Sequence, residues 1–132
     1  MFETILFPID QSAESREAAD TVVQLAKLHK GRVVLLSVLV STDDASEIEA
    51  ANATANALLD GAKKLFSDQD IPVETRVRSG KVAFTICDVA DEIEAGLIIM
   101  GSRGLGLTQE STTESTAHRV IDLAPCPVLI ML

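Results

Sequence analysis

Leu97-Ile98-Ile99-Met100-Gly101-Ser102-Arg103-Gly104-Leu105-Gly106 is the stretch on which the reading of this chain turns. Its first four residues form the most apolar strand signal in the sequence. Three glycines then fall within six residues. A hydroxyl-rich run, Ser111-Thr112-Thr113-Glu114-Ser115-Thr116, follows and opens a helix. A glycine loop leaving a buried strand lets backbone N–H groups approach an anion closely, and a helix N-terminus adds free N–H groups and the positive end of a dipole. The order strand, glycine loop, helix start therefore points to a phosphate cradle. The plainer alternative is a loop whose glycines only supply positive φ. The loop has no GxxxxGK[ST] pattern and no lysine, which argues against a P-loop hydrolase.

Working outward, apolar runs alternate with helical spacing. Ile5 to Ile9 reads as a strand ended by Asp10-Gln11-Ser12. Ser12, Glu14 and Ser15 offer N-caps for a helix from Ala13 to Lys30, with Gly31 as its stop. Val33 to Val40 is nearly all apolar, as a strand covered on both faces requires. Ser41-Thr42-Asp43-Asp44 caps a long alanine-rich helix from Ala45 to about Ser67. Val73 to Arg78 alternates apolar and charged residues, which predicts a strand near the sheet edge. Val82 to Ala95 has helical spacing and meets Gly96 as its stop, and Leu97 to Met100 is the fourth strand. A helix from about Thr113 to Leu123 and a strand from Val128 to Leu132 complete the chain. Five strands alternating with four helices predict an α/β fold: a doubly wound, open, mostly parallel sheet with right-handed crossovers. In such sheets ligands sit at the carboxyl ends of the strands, where strand order reverses. If strands one and four are neighbours, Asp10, Val38 and Met100-Gly101 converge on one crevice.

Bulk properties narrow the function. The chain has 132 residues, 47% hydrophobic and 23% charged, which suits one soluble domain covering residues 1–132. A formal net charge of -9 argues against a nucleic-acid or anionic-membrane binder but not against a small anion held by backbone N–H groups. No apolar run approaches the roughly 20 residues that span a bilayer. The start of the chain shows no signal peptide. Cys87 and Cys126 lack a metal-ligand spacing and read as reduced thiols and small core residues. Neither His29 nor His118 has a spaced partner, so no catalytic set and no metal site is expected, and His29 reads as a favourable charge on a helix C-terminus.

Four segments stand out together: Ile5-Leu6-Phe7-Pro8-Ile9-Asp10 with Ser12, Val34-Leu35-Leu36-Ser37-Val38, Ile98-Ile99-Met100-Gly101-Ser102-Arg103-Gly104, and Ala124-Pro125-Cys126-Pro127-Val128-Leu129. On these segments the chain resembles the universal stress protein family across nearly its whole length. The resemblance implies an adenine nucleotide alpha hydrolase-like fold and a cytoplasmic, non-catalytic stress-response module that forms homodimers. It also implies binding of ATP, ADP or AMP in those members that carry G-x2-G-x9-G-[ST]. Here Gly101 and Gly104 match, nine residues follow, Glu114 stands at the third glycine and Ser115 at the hydroxyl position. By the same matching Asp10 and Val38 belong to the adenine pocket, and Pro8, Ile9 and Ser12 to the nucleotide-binding set. Met100, Gly101 and Gly104 line the nucleotide, Ser115, Thr116 and Ala117 face the phosphates, and Arg103 and Glu114 complete the nucleotide-binding set.

Each of these positions also has a structural reading. Asp10 is either a ligand to an adenine amino group or ribose hydroxyl, or a turn-forming cap. Arg103 is the loop's cation, a phosphate partner or a solvated side chain. Glu114 facing a phosphate about 5 Å away at an effective dielectric of ~20 meets roughly 3 kcal/mol of repulsion. That is a loss on the order of a hundredfold in affinity. Magnesium, a solvent-facing carboxylate or pairing with Arg103 would each relieve it, and a first-turn Glu also favours the helix dipole without any ligand. The hydroxyls before the last helix can cap it or donate to phosphate. The apolar strand Val128–Leu132 is an edge that a second copy would cover. The alternative function is a nucleotide-free dimeric interaction protein that holds at most a small anion.

Overall fold

The computed structural model describes residues 2–102 and 116–132. The elements run β1 (Thr4–Pro8), α1 (Ala13–His29), β2 (Arg32–Leu39), α2 (Ala45–Asp68), β3 (Val73–Ser79), α3 (Val82–Glu92), β4 (Leu97–Gly101), α4 (Thr116–Leu123) and β5 (Val128–Met131). The strands form one five-stranded sheet in the order β3-β2-β1-β4-β5. All four pairings are parallel. The predicted element order holds, and β1 and β4 are neighbours, paired Ile5 with Leu97 and Leu6 with Ile98. The chain steps β1→β2→β3 to one side, then returns across the sheet to β4 and β5. Strand order therefore reverses between β1 and β4.

Alternation along the strands divides the core into two layers. Ile5, Phe7, Ile9, Val33, Leu35, Leu97 and Ile99 face α1 and α2, where Ala18, Val22, Ala26, Leu59 and Phe66 meet them. Leu6, Val34, Leu36, Ile98 and Met100 face α3 and α4, against Ile86, Val89, Ala90, Ala117 and Val120. Both faces of the central strands are buried, which is why β1, β2 and β4 read as continuous apolar runs. The two edges differ. On β3, Glu74 pairs with Arg32 and Arg76, and Arg76 and Arg78 both reach Glu92. This charge ladder blunts an open edge. On the opposite edge β5 carries Val128-Leu129-Ile130-Met131, all half-buried.

The helix ends correct two sequence expectations. Gly31 and Gly96 were expected to stop α1 and α3. The left-handed residues are instead Lys30 (φ 53) and Glu94 (φ 54), and Asp70 (φ 61) plays the same part after α2. Each closes the same paired motif. Gly31 N–H bonds Ala26 O and Lys30 N–H bonds Lys27 O; Ile71 and Asp70 N–H bond Phe66 and Ser67 O; Ala95 and Glu94 N–H bond Ala90 and Asp91 O. These bonds satisfy orphan carbonyls at each helix end. Gly31 is needed for another reason: a Cβ there would lie 2.8 Å from the carbonyl oxygens of both Phe2 and Glu3. α3 consequently ends at Glu92, short of the expected Ala95. His29 lies in the last turn of α1 as expected, and its ring also meets Phe2 edge-on with centroids 5.2 Å apart. The start of the last helix at Thr113 falls outside the described residues.

Asp44 caps α2. Its carboxylate accepts from the Ser46 hydroxyl at 2.7 Å and from the Ser46 and Glu47 N–H groups. The Ser46 hydroxyl, then the two N–H bonds, hold its carboxyl below the usual carboxylate range.

Candidate functional site

The carboxyl ends of β1, β2 and β4 lie side by side. Pro8 is in register with Leu36, and the Ile9 N–H continues the ladder by donating to Leu36 O at 2.9 Å. Met100 and Gly101 end β4, one strand over. The segments that carry Asp10, Val38 and Gly101 thus converge where strand order reverses, the position that open α/β sheets offer to ligands.

Asp10 organises this corner. Its Oδ1 accepts from the Ser12 N–H at 2.8 Å and from the Ser15 hydroxyl at 3.0 Å. The Asp10 N–H donates back to Ser15 Oγ at 3.0 Å. Ser12 is the N-cap of α1, and its Oγ accepts from the Ser15 N–H at 3.2 Å. With Ser12 as the helix cap, the turn-forming role read for Asp10 is therefore real. It fixes the carboxylate at the mouth of the crevice rather than removing it.

The other site residues divide by depth. Pro8 and Ile9 are buried, so their part in any site is made by the backbone and by the floor they supply. Met100 is 1% exposed and packs in the layer under α3 and α4, as does Ala117 near the start of α4. Val38, Gly101 and Thr116 are half-exposed and remain accessible. The Ser102 N–H is committed to Met131 O at 2.9 Å. Arg103, Gly104, Glu114 and Ser115 lie outside the described residues.

A hollow of about 450 Å³ opens beside Asp10, between α1 and α2. Phe7, Ile9, Ala19, Ala57, Gly61 and Leu65 line it, with Asp10, Ser15 and Arg16 at the polar rim. Sequence reasoning missed it. The available signal was a run of small residues on one side of α2, Ala57, Gly61 and Ala62, in a helix otherwise set by its apolar period.

Cys87 is buried and its thiol lies 3.9 Å from Val120 O, while Cys126 is half-buried; both are free thiols. Burial pushes both upward, with the Asp88 charge adding at Cys87. A raised pKa lowers the thiolate fraction on which thiol reactivity depends. Among the described residues no cluster of His, Cys, Asp or Glu could hold a metal ion, and no helix is long and apolar enough to cross a membrane.

Comparison with known proteins agrees with this geometry. The family model described as Universal stress protein family matches residues 1–131. Universal stress protein Sll1654 of Synechocystis is 48% identical over 99% of this chain and 86% of its own length. The solved structure of a universal stress protein family member from Burkholderia pseudomallei superposes with a TM-score of 0.82 at 26% identity, covering 98% of this chain and 96% of that one. A universal stress protein from Archaeoglobus fulgidus, solved in complex with dAMP, has the same fold, with a TM-score of 0.76 at 21% identity and full coverage of both chains.

Proposed function

The chain belongs to the universal stress protein family, and on that premise we propose that it is a non-catalytic, cytoplasmic stress-response module of one domain that binds an adenine nucleotide. The site is the crevice at the carboxyl ends of β1, β2 and β4. Asp10 and Val38 hold the adenosine end, with Pro8, Ile9 and Ser12 shaping that side. The backbone of Met100, Gly101, Arg103 and Gly104 follows the nucleotide, and Ser115, Thr116 and Ala117 are nearest the phosphates. The observation that carries this reading is the pairing of β1 with β4 at the point of strand-order reversal, since Asp10 and Gly101 follow at the carboxyl ends of these two strands. The dAMP complex of the Archaeoglobus fulgidus protein lends support, since that protein shares this fold.

Glu114 weakens ATP binding by charge repulsion on the order of a hundredfold relative to glycine at that position. Titration calorimetry with ATP, ADP and AMP, with and without magnesium, tests this directly. Glu114→Gly is expected to tighten ATP binding, most of all without magnesium. Submicromolar ATP affinity in the wild type, unchanged in Glu114→Gly, refutes the role given to Glu114. Mass spectrometry of the denatured, purified protein reveals any nucleotide carried from cells. Phosphate release that Gly104→Ala abolishes would instead establish slow hydrolysis.

Dimerisation through β5 belongs to the same proposal. One sheet edge is guarded by charge, whereas the other is apolar, and α4, which contacts it, exposes Ile121 and Leu123. Light scattering is expected to show a dimer that Ile121→Glu with Leu123→Glu converts to a folded monomer. A second reading, a dimeric interaction protein without nucleotide, is favoured by one observation: Asp10 Oδ1 already accepts two bonds from its own chain. A dimer that neither retains nor binds nucleotide selects it.

A further inference from the structure

We propose that the hollow between α1 and α2 is a second binding site, for a small amphiphile with an apolar body and a carboxylate head, such as a medium-chain fatty acid. This inference does not rest on the nucleotide reading. Three observations carry it. The volume, about 450 Å³, lies within the roughly 300–1,000 Å³ of small-molecule sites. Its floor and walls are apolar: Phe7 and Ile9 below, Ala19 on α1, Leu58 and Leu65 on α2.

The second observation is Gly61. A glycine inside a helix weakens it relative to alanine. Here a Cβ would meet nothing within 4 Å. No close packing demands the glycine, and its effect is to leave the α2 wall of the hollow open. α1 sits chiefly over β4 and α2 over β2 and β3, so the two helices leave a gap above β1 rather than closing on each other.

The third observation is the rim. Arg16 is its cation. It donates one long bond, 3.4 Å, to the Gln11 carbonyl. No carboxylate among the described residues pairs with it. The Asp10 carboxylate is engaged by the Ser12 N–H and the Ser15 hydroxyl. A guanidinium that no described carboxylate pairs, beside an apolar hollow, suits a carboxylate with a hydrocarbon tail.

Titration calorimetry with decanoate, below its micellar concentration, on the full chain tests the site. Decanoate is expected to bind at a ratio of one per protomer. Octanoate, two methylenes shorter, should bind about fifteenfold more weakly, at about fourfold per methylene. Arg16→Gln should weaken decanoate several-fold and leave decanol unaffected. Ala57→Leu with Gly61→Leu fills the hollow from α2 with strong helix formers and should abolish binding, while thermal unfolding shows the fold retained. Amide shifts on decanoate addition should centre on Ile9, Ala57 and Gly61 rather than on β5. Absence of binding at millimolar decanoate, equal affinity for octanoate, or binding that survives in the folded Ala57→Leu/Gly61→Leu variant overturns the proposal.

Discussion

Replacing Glu94 by glycine should stabilise this protein, although glycine is ordinarily a loss. Glu94 sits at φ 54 and its N–H bonds Asp91 O, while Ala95 N–H bonds Ala90 O. The backbone is therefore held in the left-handed region by the helix-ending motif itself. A side chain with a Cβ costs about 1–2 kcal/mol there. Glycine removes that strain but gives back about 0.5–1 kcal/mol of unfolded-state entropy. The carboxylate also lies at a helix C-terminus, where a negative charge is unfavourable by about 0.3–1 kcal/mol. Glu94→Gly should thus gain about 1 kcal/mol, or roughly 3–5 °C in Tm for a domain of this size. Urea unfolding at neutral pH measures it, and Glu94→Gln separates the contributions: it keeps the strain and removes the charge. The charge portion should shrink in high salt. The other two ends calibrate the argument. Asp70→Gly should gain less, because Asp tolerates left-handed backbone better than Glu does. Lys30→Gly should be near neutral, because relieved strain is offset by loss of a cation that favours the dipole. Lys30 and Asp70 border one hollow, so their changes need not add. Glu94 lies across the sheet and should add to either. A destabilised Glu94→Gly, or a Lys30→Gly that gains as much as Glu94→Gly, refutes this account of the helix ends.

The remaining predictions concern close approach and protonation. Gly31→Ala should destabilise by about 1–3 kcal/mol, the range for forced overpacking, because its Cβ would press on two backbone oxygens 2.8 Å away. A urea midpoint equal to wild type would mean that the turn shifts freely. Asp44 is held low by its bonds to Ser46 and Glu47. The capping stability is present above its unfolded pKa and lost as pH falls through the depressed folded value, so the stability gap between wild type and Asp44→Ala should close in acid. Cys87 is pushed up, chiefly by burial. The unfolded chain releases this proton first on the alkaline side, so stability should fall as pH rises past the ordinary thiol pKa of about 8.5. Cys87→Ala should flatten that limb; an unchanged slope would place its origin elsewhere.

The sequence by itself determined the element order and the sheet class. Apolar runs at β1, β2 and β4 are a direct imprint of burial on two faces, and the charged alternation of β3 is the imprint of an edge. The family, too, was legible, because Asp10, Gly101 and the Pro125-Cys126-Pro127 ending are local strings. Tertiary structure decided what depends on neighbours distant in the chain. The adjacency of β1 and β4 comes from the direction of a crossover, which no local pattern encodes. The helix stops moved from Gly31 and Gly96 to Lys30 and Glu94 because pairing to Ala26 and Ala90 fixes the turn, whereas Gly31 answers to Phe2 and Glu3 across the chain. The hollow beside Asp10 was invisible for the same reason. Small residues on α2 create space only when a second helix and a sheet supply the other walls.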